Sequence, residues 1–86
     1  MIRKIPTSFV ETEIDGEVVL LSIDRGTFHG LKDTGLAIWE LIDGTRDRKA
    51  IVDTLQARFD VAPERCEAEV GQFLDQVSKA GLVALD

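Results

Sequence analysis

The chain is short of most of the residues that build catalytic or metal centres. Among 86 residues there is no tyrosine, and cysteine, histidine and tryptophan occur once each. With Cys66 alone, neither an internal disulfide nor a cysteine-based metal cluster can form. With His29 alone, a metal would have to be held by carboxylates, and no serine or cysteine stands by motif as a nucleophile for it. His29 is therefore expected on a strand surface or half-buried, and no metal or cofactor is expected. Basic charge is also in deficit. Ten Lys and Arg stand against sixteen Asp and Glu, a net charge of −6, which removes the overall balance needed to bind nucleic acid or an anionic membrane. A basic or neutral peptide suits such a chain better. No apolar run approaches the roughly 20 residues that span a bilayer. Met1-Ile2-Arg3-Lys4-Ile5-Pro6 has no long apolar stretch behind its basic pair and does not read as a signal peptide. The expectation is one cytoplasmic domain over residues 1–86, with a modest core and no deep catalytic cleft.

What is present divides into a β half and an α half. Phe9-Val10-Glu11-Thr12-Glu13-Ile14 alternates and is rich in strand formers. Asp15-Gly16 is a two-residue hairpin signal, because a type I′ turn needs φ > 0 at both positions. Glu17 to Ile23 returns as the second strand. With that turn, Ile14 faces Glu17, Thr12 faces Val19 and Val10 faces Leu21. That face, with Ile23, is expected against the helices, which leaves Phe9, Glu11, Glu13, Val18, Leu20 and Ser22 on the other. Asp24-Arg25-Gly26 makes a second turn into a third strand, Thr27 to Leu31. A two-residue loop puts Phe28 inward and a bulged three-residue loop puts His29 there. Burial of the phenylalanine is the stronger driving force, so Phe28 is expected inward.

Three helices should follow. The first is capped by Asp33 or Thr34, presents Leu36, Ile38, Trp39, Leu41 and Ile42, and stops at Gly44. The second begins at Thr45 or Asp47 and buries Ile51, Val52, Leu55 and Phe59. Pro63 suits the first turn of the third, whose Cys66, Val70, Phe73, Leu74 and Val77 recur at helical spacing. Gly81 ends it, and Leu82 to Leu85 can return as a short extended tail. Three strands followed by three helices make an α+β, winged-helix-like domain: an N-terminal three-stranded antiparallel sheet followed by three α-helices. Its third strand is an edge, and an edge offers unpaired N–H and C=O groups to a partner peptide.

Several motifs stand in a familiar order. They are Gly26-x-x-x-x-Leu31, Thr34-Gly-x-x-Ile-Trp-Glu-Leu-Ile-Asp-Gly44, Ala50-Ile-Val-x-x-Leu55 and Phe73-Leu-x-x-Val-x-x-x-Gly-Leu-Val83. From about Val19 to Val83 the chain resembles the PqqD-like family, also called RiPP recognition elements. The resemblance implies a protein that is not an enzyme. Such members bind the leader segment of a ribosomally made precursor peptide and deliver it to a modifying enzyme or leader protease. The leader adds as a strand beside the third strand, in the groove it forms with the third helix. Carried onto this chain, the peptide-binding residues are Thr27, Phe28, His29, Gly30 and Leu31 on the strand, and Glu67, Val70, Gly71, Leu74 and Asp75 on the helix. The turn Asp24-Arg25-Gly26 stands where members serving pyrroloquinoline quinone synthesis carry Pro-Glu-Gly. With Ile38-Trp39 it looks more like the stand-alone members, among them the recognition subunits of lasso-peptide leader proteases.

Bland readings stand beside these. A mid-helix glycine costs about 1 kcal/mol relative to alanine, so Gly71 marks either a close approach by a bound chain or packing inside the domain. Cys66 and Trp39 read as core residues. Glu64 and Glu69 read as solvated charge, and Glu67 and Asp75 as a groove rim attracting basic leader residues. Arg46, Arg48 and Lys49 cluster at the start of the second helix, whereas a DNA-binding winged helix wants its charge on the third, which is acidic. The alternatives to a lasso-pathway adaptor are a peptide chaperone for a radical SAM enzyme of quinone-cofactor synthesis, and a DNA-binding or regulatory module.

Overall fold

In the computed structural model, which describes residues 1–85, two sheets and three helices enclose one contiguous apolar core. Strand β1 (Ile2–Lys4) is followed by a 3-10 turn at Pro6–Ser8, then β2 (Phe9–Ile14), β3 (Glu17–Ser22) and β4 (Phe28–Leu31). The helices α1 (Asp33–Leu41), α2 (Arg48–Arg58) and α3 (Pro63–Lys79) come next, and β5 (Val83–Leu85) closes the order. The three-stranded antiparallel sheet has the order β2-β3-β4, as expected. The C-terminal tail does return, but as a strand: β5 pairs with β1 in a second, two-stranded sheet.

Local chemistry explains most boundaries. Asp15 and Gly16 hold φ of 51° and 81°, the type I′ requirement, and set Ile14 opposite Glu17, Thr12 opposite Val19 and Val10 opposite Leu21. Asp47 caps α2, its carboxylate accepting from the Ala50 N–H at 2.8 Å. Pro63 occupies the first turn of α3, where its missing N–H costs nothing. The first helix departs from expectation. Lys32 is its extended N-cap, no side chain caps it, and Asp33 enters it at φ 54°. The second helix ends at Arg58, so Phe59 follows it in extended backbone and is 38% exposed.

The sheet's inward face is the opposite of the one expected. Val18, Leu20 and Ser22 are buried, while Val10, Ile14, Ile23 and Phe28 are all more than half exposed. The register of the first hairpin is as expected, while the second turn is a four-residue one, Ile23 to Gly26, that sets Phe28 opposite Leu21 and so on the same face as Val10. The connection to α1 decides the face. Leu31 is buried as it leads into the helix and pairs with Val18, and this turns every even-numbered residue of β3 inward. Trp39 completes the junction from the α1 side. Its indole N–H donates to Glu11 at 2.9 Å, Phe9 meets it edge-on at 5.2 Å, and the Lys4 ammonium lies 4.4 Å from its ring.

Candidate functional site

Strand β4 lies at one end of the β2-β3-β4 order, so one of its sides faces no strand. The Ser22 N–H donates to the Thr27 carbonyl at 2.8 Å. Bonded and non-bonded pairs alternate along an antiparallel ladder. His29 and Leu31 therefore turn their backbone groups to Leu20 and Val18. The N–H and C=O of Phe28 and Gly30 point the other way, to the free edge. Their side positions lie on the outer face, where Phe28 is 72% exposed and Gly30 stands in open space. His29 is half-buried on the inner side and its Nε2 lies 3.3 Å from the Thr27 hydroxyl.

Where β4 ends, a groove begins between the first turns of α1 and one flank of α3. A cavity of about 210 Å³ is lined by Thr34, Gly35, Ile38, Glu69, Gln72, Phe73 and Gln76. It continues past Thr34 and Glu69 into a second hollow against Asp60, Val61, Ala62 and Arg65. Gly35 faces the Phe73 ring, which a Cβ at that position would meet at 3.6 Å, an ordinary contact distance. Ile38 and Phe73 supply the apolar part, Gln72 and Gln76 offer amides, and the Glu69 carboxylate is engaged by Arg65 Nε at 3.2 Å.

The helix residues anticipated for the groove are not on this flank. Residues 69, 72, 73 and 76 and residues 67, 71, 74 and 75 form two stripes on opposite sides of buried Val70. Gly71, Leu74 and Asp75 line a separate cavity of about 420 Å³ with Ile2, Asp47, Arg48 and Leu85. The Arg48 guanidinium donates to the Glu67 carbonyl at 3.4 Å and fills the space a Cβ on Gly71 would need. The group in the way is the far end of an exposed arginine side chain, which can move aside. Asp75 pairs with Lys79 at 3.0 Å. Sequence reasoning did not single out Thr34, Gly35, Gln72 and Gln76 and read Glu69 as solvated; Ile38 is a core residue and Phe73 packs against the core, as expected, and both also line this groove. The available signal was the Glu69, Gln72, Phe73, Gln76 spacing, one helical stripe with an aromatic inside it.

The site's chemistry is that of binding. Unpaired backbone donors and acceptors at Phe28 and Gly30 are groups an extended chain can pair with, and the groove beside them is partly apolar. The nearby thiol is unsuited to attack. Burial, then the charges of Glu69 and Glu67, push Cys66 above the usual thiol range, and its Sγ sits 3.7 Å from the Val52 carbonyl. Among the described residues no cluster of three or more His, Cys, Asp or Glu side chains is arranged to hold a metal ion. No helix there is long and apolar enough to cross a membrane.

The comparisons with known proteins fall on this fold. The family described as coenzyme PQQ synthesis protein D (PqqD) matches residues 17–83. Among solved structures, TbiB1 in complex with the TbiA(beta) leader peptide superposes with a TM-score of 0.78 at 33% identity, covering 88% of each chain. A lasso peptide synthetase B1 complexed with the leader peptide superposes with a TM-score of 0.82 over 96% of each chain, and at 18% identity shares the fold. No curated protein sequence matches the chain significantly.

Proposed function

The chain belongs to the PqqD family, and we propose that it is a non-catalytic adaptor for the leader segment of a ribosomally synthesised precursor peptide. The leader adds as a strand along β4, pairing with the outward backbone groups of Phe28 and Gly30. Alternate side chains enter the groove between α1 and α3, where Ile38 and Phe73 supply apolar contact. Thr27, His29 and Leu31 set the shape of that strand. Of the helix residues anticipated from the sequence, Glu67, Gly71, Leu74 and Asp75 lie on the other flank of α3, where Gly71, Leu74 and Asp75 line the larger cavity. The likeness to TbiB1, described in complex with a leader peptide, supports the leader as ligand; a partner enzyme, a lasso-pathway leader protease on this reading, performs the chemistry.

One observation carries the reading. The strand that runs into the groove is the one whose outer edge is unpaired, so backbone and side-chain recognition lie side by side. The test is fluorescence anisotropy with labelled leader peptides from precursors encoded beside this chain. Micromolar or tighter binding of one leader, lost on scrambling it, is expected. Equal binding of leader and scramble, or none of either, overturns the proposal.

A further inference from the structure

The outer face of the three-stranded sheet carries an apolar patch that nothing in the fold covers. Val10, Ile14, Ile23 and Phe28 are 51%, 56%, 54% and 72% exposed, with Val19 and Leu21 half-buried beside them. Single exposed apolar residues are ordinary, but five of these share one face of adjoining strands, and Ile23 stands in the turn at its end. The borders are acidic. Glu17 shares the face and Asp15 and Asp24 stand in its two turns, against Arg25 as the one Lys or Arg from Phe9 to Leu31. Such a border repels a second copy of this chain, which brings the same sign, and it repels an anionic bilayer. It complements a protein whose own patch is apolar at the centre and ringed by Lys and Arg.

We propose that this outer face docks the enzyme that acts on the captured peptide. The inference rests on the reading of β4 as the peptide edge. A strand added there becomes a fourth row of the same sheet face, next to Phe28 and the open position above Gly30. The enzyme then meets sheet and peptide as one surface. Peptide and enzyme strengthen each other's binding by the same factor, as linkage requires.

Val10 and Ile14 lie on β2, separated from the peptide edge by β3. Both are more than half exposed. The double variant Val10→Lys, Ile14→Lys therefore places two cations on the patch and leaves core and peptide edge intact. Calorimetry uses the full chain, its leader peptide and the purified processing enzyme encoded beside it, mixed in pairs and all together. Wild type should bind the enzyme about fivefold or more tightly with leader present, and more weakly as salt rises. The double variant should lose about tenfold or more in enzyme affinity and keep its leader affinity within about twofold.

Unchanged enzyme affinity in the double variant overturns the proposal. So does a matching loss of leader affinity, which makes the patch part of the peptide site. Sedimentation showing a wild-type dimer that the double variant dissolves also overturns it, with a second copy as the occupant. Failure of wild type to bind any leader defeats the peptide reading, while enzyme docking measured without peptide still decides the role of the face.

Discussion

The two faces of the three-stranded sheet are built from similar residues and meet opposite fates. The inner face offers Phe9, Val18, Leu20 and Leu31, and the outer face offers Val10, Ile14, Val19, Leu21 and Phe28. By apolar content the outer face is the richer, yet Leu20 is fully buried and Phe28 is 72% exposed. Hydrophobicity alone therefore does not choose the core side. The chain's next step does, because Leu31 must enter the core with α1, and Trp39 then finds its hydrogen-bond acceptor in Glu11. An apolar residue left outside by that geometry is available for another molecule.

The largest effect that tests the contrast is on stability. Leu20→Ala removes a side chain with no exposed surface and should cost about 2–5 kcal/mol, because transfer and cavity terms add. Ile14→Ala, on the outer face, should stay within about 0.5 kcal/mol. Urea unfolding of both variants decides the matter. Similar losses would mean that the outer face is covered in solution and that the two faces are not distinct.

Between the faces lies the edge, and it should respond in binding more than in stability. Gly30→Pro removes the N–H that points away from β3, at an edge position where proline is tolerated. Leader affinity should fall by about tenfold or more, near 1.4 kcal/mol, with the unfolding midpoint in urea little changed. Gly71→Ala is the paired control on the far flank of α3. It displaces the Arg48 guanidinium and should leave leader affinity within about twofold. A folded Gly30→Pro variant with wild-type affinity would remove strand addition from the mechanism.

These contrasts also mark what was readable in the chain and what was not. Periodicity and Asp15-Gly16 specify the hairpin and its register down to the residue pairs. The helices follow from apolar spacing and from the Asp47 and Pro63 signals. The inward face was not readable, because both faces carry apolar residues and the deciding contacts, Leu31 with Val18 and Trp39 with Glu11, are long-range. Strand β1 was missed for a related reason: three residues carry too little pattern to declare a strand without their partner β5. At the site, the edge strand was legible and the facing flank of α3 was not. Both flanks border the same buried stripe and both carry a cavity, so spacing along α3 singles out neither.

The smallest effect tests whether the two faces belong to one cooperative unit. At the hairpin end Glu13, Ile14 and Glu17 are all exposed, so no helix covers that end on either side. Its order rests on the turn, where Asp15 sits at φ 51°. Asparagine before glycine is the other favoured pair for this turn, and Asp15→Asn also removes one charge from the acidic border. Global stability should change by no more than a few tenths of a kcal/mol. Amide hydrogen exchange should report the change locally, slowing at Ile14 and Glu17 while Val18 and Leu20 keep their rates. That outcome makes the hairpin tip a separately opening element, held by its turn and free to adjust when a partner covers the outer face. Equal slowing at Leu20 would show that tip and core open together, and the outer face would then be as rigid as the inner one despite its exposure.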